Sequence, residues 1–116
     1  MSEITLKIFQ VIGSDVAVSS DKGDEIFKQI DKALQNKLSV NIDFKDIKIL
    51  TTAFLNAAIG QLYSKYTSKK LKKSLGLLNI SDSDKLLLKK VTDRAKEYFA
   101  DKKNIDNIIK ESLGDE

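Results

Sequence analysis

The side chains able to do polar chemistry here are carboxylates, hydroxyls and lysines, because the 116 residues include no Cys and no His. That removes thiolate and imidazole nucleophiles, imidazole bases, disulfides and the usual zinc ligand sets. Two acidic pairs, Asp82 with Asp84 and Asp21 with Asp24, have the spacing of oxygen donors for a divalent cation. Each falls where Ser and Asp also cap a helix, and capping accounts for both, so neither a metal nor another cofactor is expected. Asp43 has no second carboxylate or base placed to work with it, and no glycine-rich phosphate loop is present, so the chain reads as a non-enzyme. Asn79-Ile80-Ser81 matches a glycosylation acceptor, a match without consequence in a chain whose start, Met1 to Lys7, does not read as a secretory leader.

Two constellations remain. The first is the hydroxyl pair Thr51-Thr52, which precedes the apolar stripe Phe54, Leu55, Ala58, Ile59, Leu62 and Tyr66. Hydroxyls at a helix N-terminus serve as caps, and the same place tolerates a phosphoryl group, whose charge of about −1.5 to −2 meets the helix dipole and free amides. The second is basic: no acidic residue occurs between Asp46 and Asp82, while Lys48, Lys65, Lys69, Lys70, Lys72 and Lys73 fall there. This stretch carries the excess behind a formal charge of +3. Lys65, Lys69, Lys70, Lys72 and Lys73 form a candidate phosphate-binding patch. With a single Arg in the chain and few aromatic residues, a solvated lysine-rich surface is the simpler reading, and nucleic acid is the alternative rather than the leading partner.

The elements that must position these residues follow from periodicity. Ile4, Leu6 and Ile8 alternate with polar residues, and Val16-Ala17-Val18 follows a turn at Gly13-Ser14-Asp15, which gives two strands. Helical spacing of Ile26, Phe27, Ile30, Ala33 and Leu34 predicts a helix over about 22–36, and Leu38, Val40 and Ile42 predict a third strand. A second helix follows Thr51-Thr52, and a fourth, buried strand over about 74–80 makes that helix a crossover between parallel neighbours. A third helix has Leu87, Leu88, Val91, Ala95, Tyr98 and Phe99 on its inward face, and Ile105, Ile108, Ile109 and Leu113 predict a short amphipathic helix over 104–114 that docks on the body, with a partner's surface as the alternative. The expectation is one domain, 1–116 with a core of about 1–100, of α/β class: a single mixed sheet of about four strands in the order ββαβαβα plus a C-terminal helix. No run approaches the roughly 20 apolar residues of a membrane span, and a cytoplasmic setting is expected.

Val40-Asn41-Ile42-Asp43-Phe44, followed by Ala53-Phe54-Leu55-Asn56-Ala57-Ala58-Ile59-Gly60-Gln61-Leu62-Tyr63, closely resembles the bacterial STAS-like family of unknown function. The order of elements is more distantly similar to the STAS domains of anti-sigma factor antagonists. That resemblance implies a signalling module whose hydroxyl at the start of the second helix is phosphorylated by a kinase of the histidine-kinase-like ATPase fold, and it places Thr51 and Thr52 at that position. The antagonists have an Asp before the hydroxyl pair and a Gly after it, where this chain has Leu50 and Ala53. The partner surface expected from this reading includes Lys48, Phe54, Asn56 and Gln61.

Overall fold

The computed structural model describes residues 2–109, with side chains through Phe99. It contains β1 (Glu3–Lys7), α1 (Ile8–Ile12), β2 (Val16–Ala17), α2 (Ser20–Gln35), β3 (Ser39–Asp43), β4 (Ile49–Leu50), α3 (Thr52–Ala58), a 3-10 turn (Gly60–Ser64), α4 (Ser68–Ser74), β5 (Leu75–Leu78) and α5 (Asp82–Ile109).

The α/β class and the parallel crossovers agree with the sequence reading, but the sheet does not. Instead of one mixed sheet there are two parallel ones: β1-β3-β5 and the two-residue pair β2-β4. The second exists because the connection after β3 runs back alongside Val16-Ala17, with Val16 opposite Ile49 and Ala17 opposite Leu50. In the larger sheet, Leu6 lies beside Ile42 and Val40 beside Leu75, so one face carries the apolar members of all three strands. Val40 and Ile42 on the central strand are fully buried beneath Ile26 and Ile30 of α2, Phe54 and Leu55 of α3, and Leu88 and Val91 of α5, all in one core. The opposite face is polar, with Thr5 and Lys7 exposed. The Asn41 side chain there lies over Gly76, so close that a Cβ at that position would collide with its amide oxygen.

α2 forms because Ser19 accepts the Lys22 N–H (3.2 Å) at its start and because its apolar residues recur on one face. Its Gly23 is required by close packing: a Cβ would sit 2.5 Å from the Phe54 carbonyl and 2.6 Å from Ala57 Cβ on α3. The Gly23 backbone there lies directly against the α3 backbone and the Ala57 methyl.

Four further expectations change. The first strand ends at Lys7, and Ile8 opens the short α1. The single second helix is three pieces, α3, the 3-10 turn and α4, and the last of these carries Lys69, Lys70, Lys72 and Lys73. Tyr98 is not inward but 62% exposed, its ring edge-on to Phe99 at 4.9 Å. Finally, α5 continues through 102–104 to Ile109 with no separate helix starting at 104, while Leu113 and the rest of 110–116 lie outside the described residues.

Candidate functional site

Ligands approach a parallel α/β sheet beyond the carboxyl ends of its strands. At that edge β3 ends in Asp43, which is 6% exposed, and β5 is followed by Asn79. Asn79 adopts a left-handed backbone (φ 56°), which Asn tolerates better than other residues with a Cβ. Its Nδ2 donates to Asp43 Oδ1 at 2.9 Å, and the Lys45 N–H donates to the same oxygen at 2.9 Å. The Phe44 N–H donates to the Leu78 carbonyl at 3.0 Å, continuing the pairing one step past the strands. The Asn79 amide is the main reason the Asp43 carboxyl is held below the usual carboxylate range. The Lys45 amide and the charges of Lys7 and Lys45 act in the same direction, against the effect of burial. An acid kept ionised by donors to its oxygen is poorly suited to shuttle protons; its work here is to fasten the β3 and β5 loops together.

Beyond Asp43 the chain crosses to β4 and reaches the hydroxyl pair. Thr51 is the N-cap of α3: its Oγ1 accepts the Phe54 N–H (3.3 Å) and donates to the Val18 carbonyl (2.9 Å). Its own N–H donates to the Ala17 carbonyl (3.2 Å), so two bonds from one residue tie the start of α3 to the end of β2 while a third caps the helix. Thr52 is the first residue of α3, half-buried, and its hydroxyl has no hydrogen-bond partner among the described residues. The two threonines are adjacent in sequence and unlike in situation: one is spoken for and the other is available.

The β2-β4 ribbon next to them is apolar and open. Val16, Val18 and Ile49 are 37%, 38% and 52% exposed, and Val16 faces Ile49 across the pair. Backbone bonds from Lys48 and Ile49 N–H to the Asp15 carbonyl (2.8 and 3.2 Å) hold it, while Lys48 Nζ lies 3.8 Å from the Asp15 carboxylate in a loose, exposed ion pair.

Of the surface residues expected from sequence, Lys48 and Asn56 are exposed. Phe54 is fully buried and leaves the partner surface, because its helical position points into the core. Gln61 is half-buried, its Nε2 donating to Asp24 Oδ1 (2.7 Å) and to the Ala57 carbonyl (2.8 Å), which makes it a strut between α2 and the end of α3. Lys65 separates from the basic patch: its Nζ lies 2.7 Å from Asp31, which also accepts from the Tyr66 hydroxyl at 2.6 Å. These two donors lower the Asp31 carboxyl, and burial and the bond to Asp31 push the Tyr66 phenol up to about 12. Lys69, Lys70, Lys72 and Lys73 remain exposed around the buried Leu71 of α4.

Sequence reasoning passed over Asn79, although an Asn directly after a strand, level with an Asp at the end of its neighbour, is a recognisable turn-and-clip signal. It also passed over the exposure of Val16, Val18 and Ile49. Among the described residues no group of three or more Asp and Glu is placed to hold a metal ion, and no helix is long and apolar enough to cross a membrane.

No curated protein and no solved structure matches the chain. The sequence model of the STAS-like domain of unknown function matches residues 22–85, from the first turn of α2 through β3, the Thr51-Thr52 cap and β5 to the start of α5. That span is more than half of the chain and contains the Asp43–Asn79 clip and the hydroxyl pair, so the chain belongs to the family of STAS-like domains of unknown function.

Proposed function

We propose that this domain is a non-enzymatic regulatory module that binds a partner protein through the β2-β4 ribbon and the adjoining start of α3. The observation that carries this reading is the exposed apolar trio Val16, Val18 and Ile49 beside a hydroxyl pair, in a chain of the STAS-like family. Apolar side chains held out on a two-residue ribbon gain little for the fold and are suited to burial against another surface. Thr52 is the phosphoacceptor in this reading, because Thr51 already gives and receives a hydrogen bond. A phosphoryl group on Thr52 adds negative charge at the rim of the apolar ribbon and changes which partners fit. Resemblance to the anti-sigma factor antagonists makes a kinase of the histidine-kinase-like ATPase fold the first partner to look for.

The test is affinity capture from a lysate of the protein's own cells with the wild type and with Ile49→Asp, followed by mass spectrometry of the captured proteins and of the peptide containing Thr51 and Thr52. A regulatory protein or ATPase-type kinase recovered by the wild type and lost from the folded variant supports the ribbon as the contact, and phosphate on Thr52 supports the switch. Equal capture by both proteins refutes the ribbon. Recovery of nuclease-sensitive material alone, lost on raising the salt, transfers the function to Lys69, Lys70, Lys72 and Lys73 on α4.

A further inference from the structure

A second surface, sharing no residue with the ribbon, lies between β5 and α5. β5 is an outer strand of its sheet, paired on one side only with β3. Its Leu78 carbonyl is turned inward to Phe44, so by the alternation of strand amides the N–H and C=O of Leu77 point outward, away from β3. The Leu75 N–H on that outer side is already used by the Leu71 carbonyl of α4. The Leu77 side chain is 42% exposed and shares an open groove of ≈ 360 Å³ with the first half of α5. Leu77 and Leu88 make its apolar lining, and Lys85, Lys89, Lys96 and Asp93 are among its polar residues. Lys89 is committed to Asp93 at 2.8 Å, whereas Lys85 and Lys96 form no ion pair among the described residues.

We propose that this groove receives an extended acidic segment of a partner protein, which lies along the outer edge of β5. Three independent features select that occupant. A free strand edge offers main-chain hydrogen bonds to another strand. The apolar lining accepts one aliphatic side chain against Leu77 and Leu88. Lys85 and Lys96 carry positive charge outside any ion pair among the described residues, which favours an anionic partner, Lys96 also standing close enough to Asp93 to favour its ionised form. At 1.5 Å per helical residue the two lysines stand about 16 Å apart, the reach of about five extended residues. The fitting pattern has a carboxylate two positions to either side of an aliphatic residue, all on one face of the strand. Nucleic acid fits less well, because no aromatic residue lines the groove to stack a base.

The test uses the full chain, labelled with nitrogen-15, and the blocked heptapeptide TETLTET followed by amide NMR titration. The expected result is shift changes confined to 75–78 and 85–96, at least tenfold weaker binding by the double variant Lys85→Glu with Lys96→Glu, and recovery when that variant meets TKTLTKT. The charge swap separates recognition from damage, since a misfolded variant would not bind the reversed peptide. Absence of shifts at millimolar peptide, shifts elsewhere on the protein, or tighter binding of a single-stranded oligonucleotide to the same residues would each overturn the proposal.

Discussion

The two parallel sheets are made by the same kind of pairing and differ in what they bury. In β1-β3-β5 the central Val40 and Ile42 have no exposed surface, and the carboxyl end is locked by a carboxylate whose donors come from two loops. In β2-β4 each strand has two residues, the facing side chains Val16 and Ile49 stand in solvent, and the pairing is held by backbone bonds and by Thr51. Hydrogen bonding alone does not tell the two apart. Burial does, because apolar area removed from water supplies most of the stabilisation: the larger sheet closes over Val40 and Ile42, whereas the ribbon buries Ala17 and part of Leu50 and leaves Val16 and Ile49 exposed.

The sharpest contrast is between two isoleucines. Ile42→Ala empties a site closed on every side and is expected to cost about 2–5 kcal/mol, measured by chemical denaturation. An effect below about 1 kcal/mol would mean that the core can collapse around the gap and that the larger sheet is less close-packed than its burial implies.

The clip at the end of the larger sheet comes next. Asn79→Ala removes the main donor to Asp43 and places Ala at a left-handed position, for an expected loss of about 1.5–3 kcal/mol. Asn79→Gly keeps the backbone freedom and loses only the amide, so its cost against the wild type isolates the hydrogen bond, and the difference between the two variants isolates the left-handed strain. The pH dependence has a definite sign. The Asp43 carboxyl is lower in the folded protein than its unfolded value of about 3.9; its contribution is therefore fully present above about pH 4 and is lost as pH falls through the lower folded value. In Asn79→Gly the folded value moves back toward the unfolded one, and this variant should lose less stability than the wild type on acidification from pH 7 to pH 3. An unchanged acid slope would show that Lys45 and Lys7, not Asn79, hold the carboxylate.

Thr51 belongs to both regions, since it starts α3 over the core and ties that helix to the end of β2. Thr51→Ala is expected to cost about 1–2 kcal/mol, in the range of a lost N-cap, whereas Thr52→Ala should stay within about 0.5 kcal/mol. Thermal melts of the pair check this. Equal costs would erase the distinction that makes Thr52 the available hydroxyl.

What the sequence disclosed follows the same division. α2 and β3 were legible because their apolar residues repeat long enough, over 16 and 5 residues, for one period to be chosen over the other. α1 was not, since five residues make barely more than one turn, and β4 was not, since two residues have no period at all. The stripe from Phe54 to Tyr66 reads as one helix; the chain instead turns at Ile59, where φ is −120°, and changes to 3-10 geometry without a Pro to announce it. At the site, Thr51 was readable as a cap from its place before an apolar stripe. The Asp43–Asn79 bond joins positions 36 residues apart, and the exposure of Val16 and Ile49 depends on what covers the ribbon. Both are facts of tertiary arrangement, which local pattern does not carry.

The smallest expected effect is the one that bears most on the proposed function. If the ribbon is presented rather than structural, Ile49→Ala and Val16→Ala each change stability by no more than about 0.5 kcal/mol. The double variant should then show a coupling in the range of a single cross-strand pair, about 0.2–1 kcal/mol, with no cavity contribution, because neither side chain fills a closed space. Denaturant titrations of the two single variants and the double variant measure that coupling directly. A coupling well above the pair range would mean that Val16 and Ile49 act together with residues beneath them. The ribbon would then be an extension of the core, and its exposed trio would lose its standing as a contact surface.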